Sequence, residues 1–286
     1  MADFSNSVLG VTGAAGYVGR AVISNLKTRG ASKVVAITRD PAKLADIEGI
    51  EVRAGDFSKP DTLDAAFKGI DRLLIISTDT VGVRISHQTG AIDSAERAGV
   101  GHILYTSITS PYPHDTHAVA NDHFWTEARL FQFKGNWTAL RDNIYADFIV
   151  WDAAKTLAAG KIFHAAGAGR RAIVFRDDIA AAAAGALLTA EGREIVDVSG
   201  PDALSYADIA ALLSRIGGKP VEAVEISHDA QVAGMTGAGL PSALAEAFAG
   251  FDVAVKKGAL AVLGDGVQRF AGREPLSLEA ALTKAL

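Results

Sequence analysis

The chain has 286 residues, 49% hydrophobic and 21% charged, with a net charge of −5 and no cysteine. That composition fits a globular protein with one large α/β domain, or one domain and a smaller lobe. It excludes disulfides, thiolate metal centres and cysteine nucleophiles, and without a basic stripe it excludes a nucleic-acid surface. No apolar run approaches the roughly 20 residues that span a bilayer. No basic segment with a cleavage signal precedes the first strand, so the cytoplasm is the expected compartment and no membrane partner is expected.

In chain order, Ser7 to Gly19 reads SVLGVTGAAGYVG. A short apolar strand breaks into Gly13-x-x-Gly16-x-x-Gly19 and continues as an amphipathic helix over Val18 to Arg29. Strand, glycine turn and helix in this order form a dinucleotide site. The turn needs a residue that tolerates positive φ, and the pyrophosphate needs one without a side chain. The N–H groups and dipole at the helix start then favour the phosphate charge. The predicted pyrophosphate contacts are Thr12, Gly13, Ala15, Gly16, Tyr17 and Val18. Further strands are predicted at Val34–Thr38, Ile50–Ala54, Arg72–Ser77, His102–Thr106 and Trp137–Leu140. The helices between them are Pro60–Phe67, Val83–Ala98 and Asp122–Phe133. This alternation predicts an α/β fold, a Rossmann-like doubly wound parallel sheet.

The second half is less regular. Ile173–Val174 reads as a short strand, Asp178–Leu188 as an alanine-rich helix and Ile195–Val198 as a strand. Tyr206–Ile216, introduced by Ser205, reads as a helix, Val221–Ile226 as a strand and Ala243–Lys257 as a helix. Gly258–Gly272 reads as loose chain and Leu278–Leu286 as a closing helix. Residues 1–150 are thus expected to be an NADP-binding core. Residues 151–286 are expected to be mainly a smaller C-terminal α/β lobe that covers the substrate, with some segments returning to the core.

The tip of the second strand sets the cofactor. A carboxylate there takes the ribose hydroxyls of NAD, and a cation takes the 2′-phosphate of NADP. The strand ends Thr38-Arg39-Asp40-Pro41, so Arg39 predicts NADPH, with Lys43 one turn along adding charge. Asp40 competes for the ribose, but Asp before Pro is also a good N-cap. Asp56 and Phe57 after the third strand are placed to accept from the adenine amino group and to wall the base. Ser77, Thr78, Thr106 and Ser107 end the fourth and fifth strands at the ligand-facing edge, where they either touch the cofactor or serve as loop-entry caps.

The proton-donating Tyr-x-x-x-Lys pair of common short-chain dehydrogenases is absent. Tyr17, Tyr105, Tyr112, Tyr145 and Tyr206 are followed four residues on by Ala21, Thr109, Thr116, Ile149 and Ala210. After the sixth strand, Asp142, Asn143 and Tyr145 are expected near the nicotinamide. Asp142 is either a proton donor or the N-cap of a helix beginning near Ile144, the cap being the simpler use. Tyr145 stacks on an acceptor, donates to its carbonyl oxygen, or is a half-buried helix-start residue. His114, His117 and His123 with Glu127 do not make a compact metal pattern, and no metal is expected. His123 and Glu127, four apart, are placed to bond across one helix face. The loop Pro111–Ala120 is expected to border the pocket, with His117 a candidate acid. Phe124, Trp125 and Phe131 are expected in the core.

The segments TGAAGYVG, VVAITRDPAK, VRAGDF, LLIIST, HILYTS, HFWTE and LRDNIYADF together resemble the NmrA-like, atypical short-chain dehydrogenase/reductases. Within them the chain is most similar to the bacterial type-2 NAD(P)H:quinone oxidoreductases and triphenylmethane dye reductases, nearly end to end. The resemblance implies NADPH binding and two-electron reduction without a flavin. The family usually carries Asn after the Leu-Arg of the sixth strand, where this chain has Asp142. The leading expectation is therefore an NADPH-dependent reductase of a quinone, dye or carbonyl acceptor, monomeric or homodimeric. One variant is a carbonyl reductase with Asp142, Tyr145 or His117 as donor. The other class is an NADP(H)-binding redox sensor, for which an interaction tail or basic extension would be expected and is missing.

Overall fold

The computed structural model describes residues 3–78, 80, 82–113 and 118–286. Seven parallel strands form the main sheet: β1 (Val8–Val11), β2 (Lys33–Thr38), β3 (Glu51–Ala54), β4 (Arg72–Ile75), β5 (His102–Ile108), β6 (Asn136–Asp142) and β8 (Arg193–Val198). Their order is β3-β2-β1-β4-β5-β6-β8, so the direction of winding reverses beside β1. That switch point places the ligand crevice at the carboxyl ends of β1 and β4. The central strands are apolar on both sides because helices cover both faces. On one face lie α2 (Pro60–Phe67), α3 (Arg84–Arg97) and α4 (Ala118–Leu130), around Ile37, Phe67, Ile75, Ile92 and Tyr105. On the other lie α1 (Tyr17–Thr28) and α7 (Arg176–Thr189), around Leu9, Ile23, Leu74, Leu140 and Leu187.

Helix α7 is buried on every side from Asp178 to Leu188. Its alanines let it lie close to the sheet, as an all-round apolar helix must. At Gly185 a Cβ would come within 1.9 Å of the Phe270 carbonyl, so α11 (Gly266–Ala271) crosses α7 backbone to backbone. At its C-terminus, the buried guanidinium of Arg72 donates to the carbonyls of Leu187 (2.6 Å), Ala186 (3.2 Å) and Ala190 (2.8 Å). It also stacks 4.0 Å over the Phe4 ring, and burial lowers its pKa to about 10. Arg72→Met should therefore cost about 2–4 kcal/mol in urea unfolding, since charged hydrogen bonds are lost and buried carbonyls are orphaned. A loss below about 1 kcal/mol would show that water replaces the guanidinium there.

The remaining chain builds around a parallel pair, β7 (Lys161–His164) and β9 (Glu222–Glu225), with α5 (Asp147–Trp151), α6 (Ala153–Ala159), α8 (Tyr206–Gly217), α9 (His228–Gly237), α10 (Ser242–Lys256) and α12 (Leu278–Ala285). The buried Asp252 carboxylate on α10 accepts from Tyr206 Oη (2.8 Å), Gln231 Nε2 (2.7 Å) and the backbone N–H of Ala165 (2.9 Å), which fastens α10 to this layer. Several expectations are corrected here. Ile173–Val174 is not a strand: Val174 makes a single bridge with Tyr145. Gly258–Gly272 contains α11, and β7 and α9 were not foreseen. Trp125 and Phe131 lie on the outer side of the α4 region, 48% and 38% exposed, and Phe124 is only partly buried.

Candidate active site

The site is built from the carboxyl ends of the strands. Gly13, at φ +61°, makes the turn after β1. Gly19 packs α1 onto that turn, where a Cβ would meet the Gly13 carbonyl at 2.4 Å. Gly16 is different. Its φ of −77° suits any residue, and a Cβ there would meet only the Gly13 carbonyl, at 3.3 Å. Gly16 is the N-cap of α1, with no side chain capping the helix and no acid in its first turn. An uncapped helix start beside open space fits a phosphate. Ala15 and Val18 flank this start and are half-buried, and Tyr17 is exposed. Thr12 is fully buried, and its hydroxyl accepts from the N–H of Ile76 at 3.0 Å and ties the end of β1 to β4.

At the end of β2, Asp40 caps the turn Pro41–Leu44, accepting from the N–H of Ala42 at 3.2 Å. Its neighbour Arg39 is exposed and has no ion-pair or hydrogen-bond partner among the described residues, and Lys43 is exposed alongside. Asp56 faces the same corner. Hydrogen bonds from the Ser58 N–H and hydroxyl to one carboxylate oxygen hold its pKa below the usual range, with Arg39 adding to the effect. Phe57 is half-buried next to it. A 2′-phosphoadenosine fits this set of an unpaired guanidinium, a carboxylate and a ring.

Ser77 and Thr78 are half-buried at the end of β4. Thr106 and Ser107 are buried at the end of β5. The Thr106 hydroxyl accepts from the Ser77 N–H at 2.9 Å, and Ser107 donates to Glu127 at 2.7 Å. Glu127 also takes a two-pronged bond from Arg141, at 3.0 and 2.6 Å, rather than pairing with His123. The His123 ring instead meets Tyr105 Oη at 2.7 Å and Arg84 at 3.1 Å. Because arginine only donates, His123 Nε2 is an acceptor and Nδ1 carries the proton.

Asp142 overturns the simpler expectation. No helix begins near Ile144: α5 starts at Asp147 with Ala146 as N-cap, so Asp142 caps nothing. It is the last residue of β6 and buried, and its Oδ1 has no hydrogen-bond partner. Burial raises its pKa well above the ordinary carboxylate value, which favours the acid form. The Asn143 amide donates to the Leu260 carbonyl at 3.0 Å and accepts from the Ile144 N–H at 2.9 Å. The Tyr145 phenol, pushed up to about 12 chiefly by burial, lies within the electrostatic reach of Asp142. His114 and His117 lie outside the described residues.

An aromatic shelf was missed. Tyr145 stacks on Phe148 with centroids 6.4 Å apart, and Phe148 meets Trp151 edge-on at 5.3 Å. Phe148 and Trp151 are half or more exposed. Between Trp151 and Tyr17 lies the Arg176 guanidinium, 4.5 and 4.0 Å from the two rings, held by Asp147 at 3.1 Å. Tyr17 in turn donates to Asp177 at 2.8 Å. The shelf and the phosphate turn are thus one continuous surface. Its signal was present in the sequence as Tyr145-x-x-Phe148-x-x-Trp151, aromatics at helical spacing.

Residues 13–190 match the model of a family described as NAD(P)H-binding. The chain is 36% identical over 262 residues to quinone oxidoreductase 2 of Escherichia coli (strain K12), covering 88% of this chain and 90% of that protein. It belongs to the NAD(P)H-binding, NmrA-like atypical short-chain dehydrogenase/reductases. Among solved structures, this family member superposes on an NADPH-dependent quinone oxidoreductase from E. coli in complex with NADPH. The TM-score is 0.90 and the identity 32%, over 97% of this chain and 99% of the other. It also superposes on the triphenylmethane reductase of Citrobacter sp. in complex with NADP(H), with a TM-score of 0.86 and 30% identity over 98% and 100% of the two chains. Among the described residues of this family member, no helix is long and apolar enough to cross a membrane.

Proposed function

We propose that the protein is an NADPH-dependent reductase that passes hydride, without a flavin, to a quinone or dye. The observation that carries this reading is the continuous surface running from the uncapped start of α1 to the exposed aromatic shelf. One end fits a dinucleotide and the other a flat ring system, which stacks on aromatic faces. The relatives named for quinones and triphenylmethane dyes support the same acceptor class. When bound, NADPH supplies the hydride. The protein's own residues fix the two partners in register and keep water out. Gly13, Ala15, Gly16, Tyr17 and Val18 form the pyrophosphate turn, and Arg39 and Lys43 meet the 2′-phosphate. Asp56, Phe57, Ser77 and Thr78 line the rest of the cofactor's path.

A carbonyl acceptor is the second reading, and Asp142 is the observation that favours it. A buried carboxyl whose acid form burial favours can donate to an alkoxide, with the Tyr145 phenol as a second donor. The test is oxidation of NADPH with a panel of quinones, triphenylmethane dyes and ketones. Steady turnover of the flat acceptors is expected. Tight NADPH binding with no turnover on any of them would overturn the reading and leave a dinucleotide-binding sensor.

Cofactor choice has its own test. Arg39→Asp should weaken NADPH binding about 30-fold or more, a loss of roughly 2 kcal/mol for a charge-assisted phosphate contact, while NADH binding changes little. Calorimetric titration of both cofactors measures this. Equal losses for the two would remove Arg39 from the 2′-phosphate.

A further inference from the structure

Arg84 opens α3 and is 9% exposed, yet no carboxylate among the described residues pairs with it. Among the described residues its one side-chain hydrogen bond is to a neutral group, His123 Nε2 at 3.1 Å, and its Nε is buried without a partner there. A buried charge is costly unless something compensates it. The Asp122 carboxyl feels Arg84 electrostatically, but its Oδ2 also lacks a hydrogen-bond partner, so the two do not form a bonded pair.

The guanidinium is held in place by a buried relay. His123 Nδ1 meets Tyr105 Oη at 2.7 Å, and Gln88 donates to the same oxygen at 3.1 Å and to Thr126 at 2.8 Å. Gln88 also accepts from the backbone N–H of Thr78 at 3.1 Å, so the relay is fixed to the end of β4. Arg84 therefore sits at the strand-end edge where this fold takes its ligand. It lies within electrostatic reach of the Tyr145 phenol, whose ionisation it eases, across the ends of β4 and β6.

We infer that Arg84 is a catalytic residue that receives the acceptor oxygen on which negative charge develops. This rests on the proposed reductase reading. In the step, the hydride adds to the acceptor and the carbonyl π pair moves onto oxygen, while the nicotinamide is oxidised. The resulting oxyanion, a phenolate for a quinone, is held by Arg84 until it takes a proton from Asp142 or solvent. A fixed donor with unfilled valences does this without reorganising during the step. The relay residues Gln88, Tyr105 and His123 act through Arg84, as positioning residues.

The test compares the parent with Arg84→Gln and Arg84→Lys, all saturated with NADP(H), using 4-nitrophenol as a stand-in for the reduced acceptor. The parent should bind the phenolate form preferentially and lower the apparent pKa of the bound phenol, read from its visible absorbance. Arg84→Gln should weaken phenolate binding tenfold or more and abolish that shift. Its quinone kcat should fall at least tenfold, while its Kd for NADPH stays within twofold. Arg84→Lys keeps the charge and should keep part of both effects, which separates loss of the cation from loss of the fold if the Gln variant melts early. A tenfold loss of NADPH affinity with unchanged phenolate binding would overturn the inference and place Arg84 on the cofactor. Arg84-dependent phenolate binding in a parent that turns over no acceptor would uphold the oxyanion site and defeat the reductase reading.

Discussion

Gly16→Val should give a folded protein that binds neither NADPH nor NADH, with affinity lost at least a hundredfold for both. The backbone at Gly16 lies at φ −77° and ψ 169°, a region in which valine is at home. The protein places only the Gly13 carbonyl near a Cβ, at 3.3 Å, so the melting temperature should move little. The branched side chain instead fills the space above the start of α1, where the pyrophosphate approaches the free N–H groups. Gly19→Ala is the contrasting control. A Cβ there would lie 2.4 Å from the Gly13 carbonyl and 2.7 Å from the Ala14 Cα, so it should lower stability as well as binding. Calorimetric titration and thermal melts on the two variants separate the roles. Undiminished cofactor binding by folded Gly16→Val would defeat the phosphate-turn assignment.

The second large effect is expected at Asp142. Because the residue caps no helix, Asp142→Asn should not be the silent change that a cap would allow. With the neutral carboxyl as proton donor, the substitution should lower ketone turnover on the order of a hundredfold. Quinones and dyes, whose reduced forms need less help from an acid, should be slowed much less. In the parent, ketone turnover should decline as pH rises through the raised Asp142 pKa, and the Asn variant should lose that limb. Stability should fall in the same direction. The unfolded chain ionises Asp near pH ~3.9, whereas the folded chain keeps the proton above that pH. The native state thus holds the extra proton across the interval, and stability falls as pH rises through it. The Asn variant lacks this dependence. It should be the more stable protein near neutrality, with the difference vanishing in acid. Equal slowing of ketones and quinones, together with an unchanged pH–stability curve, would show that Asp142 is neither a donor nor neutral.

What the sequence disclosed was what short-range chemistry controls. The glycine spacing from Gly13 to Gly19, the strand-end placement of Arg39 and the Asp40-Pro41 cap all depend on a few consecutive residues. The environment of Asp142 does not. Its burial comes from its place at the end of β6, between β5 and β8, so its position was legible but its protonation was not. The hydrogen-bond partners of Thr12 and Ser107 escaped the sequence for the same reason, since Ile76 and Glu127 are 64 and 20 residues away. Arg84 gave no local sign at all, because an arginine at a helix start is ordinary surface until the fold buries it. In the second half, β9 was legible within Val221–Ile226, whereas β7 is four residues long and only partly buried, which leaves too little alternation to read. Trp125 and Phe131 were assigned inward by residue type alone, but Trp125 sits on the outer side of α4 and Phe131 just past its end, both exposed.

The way α7 covers the sheet bears on how the chain comes off the ribosome. On the face that α1 only partly covers, the strands with Leu9, Leu74, Leu104 and Leu140 are closed by a helix that begins only at Arg176. The strand that completes the sheet ends at Val198. Synthesis therefore delivers β1 to β6 well before their cover, and during that interval a broad apolar surface stands open to water or to a chaperone. Residues 1–150 released alone would keep that surface permanently, however complete their cofactor turn. The nascent chain commits to its final form only after the segment that carries β7 has already been made.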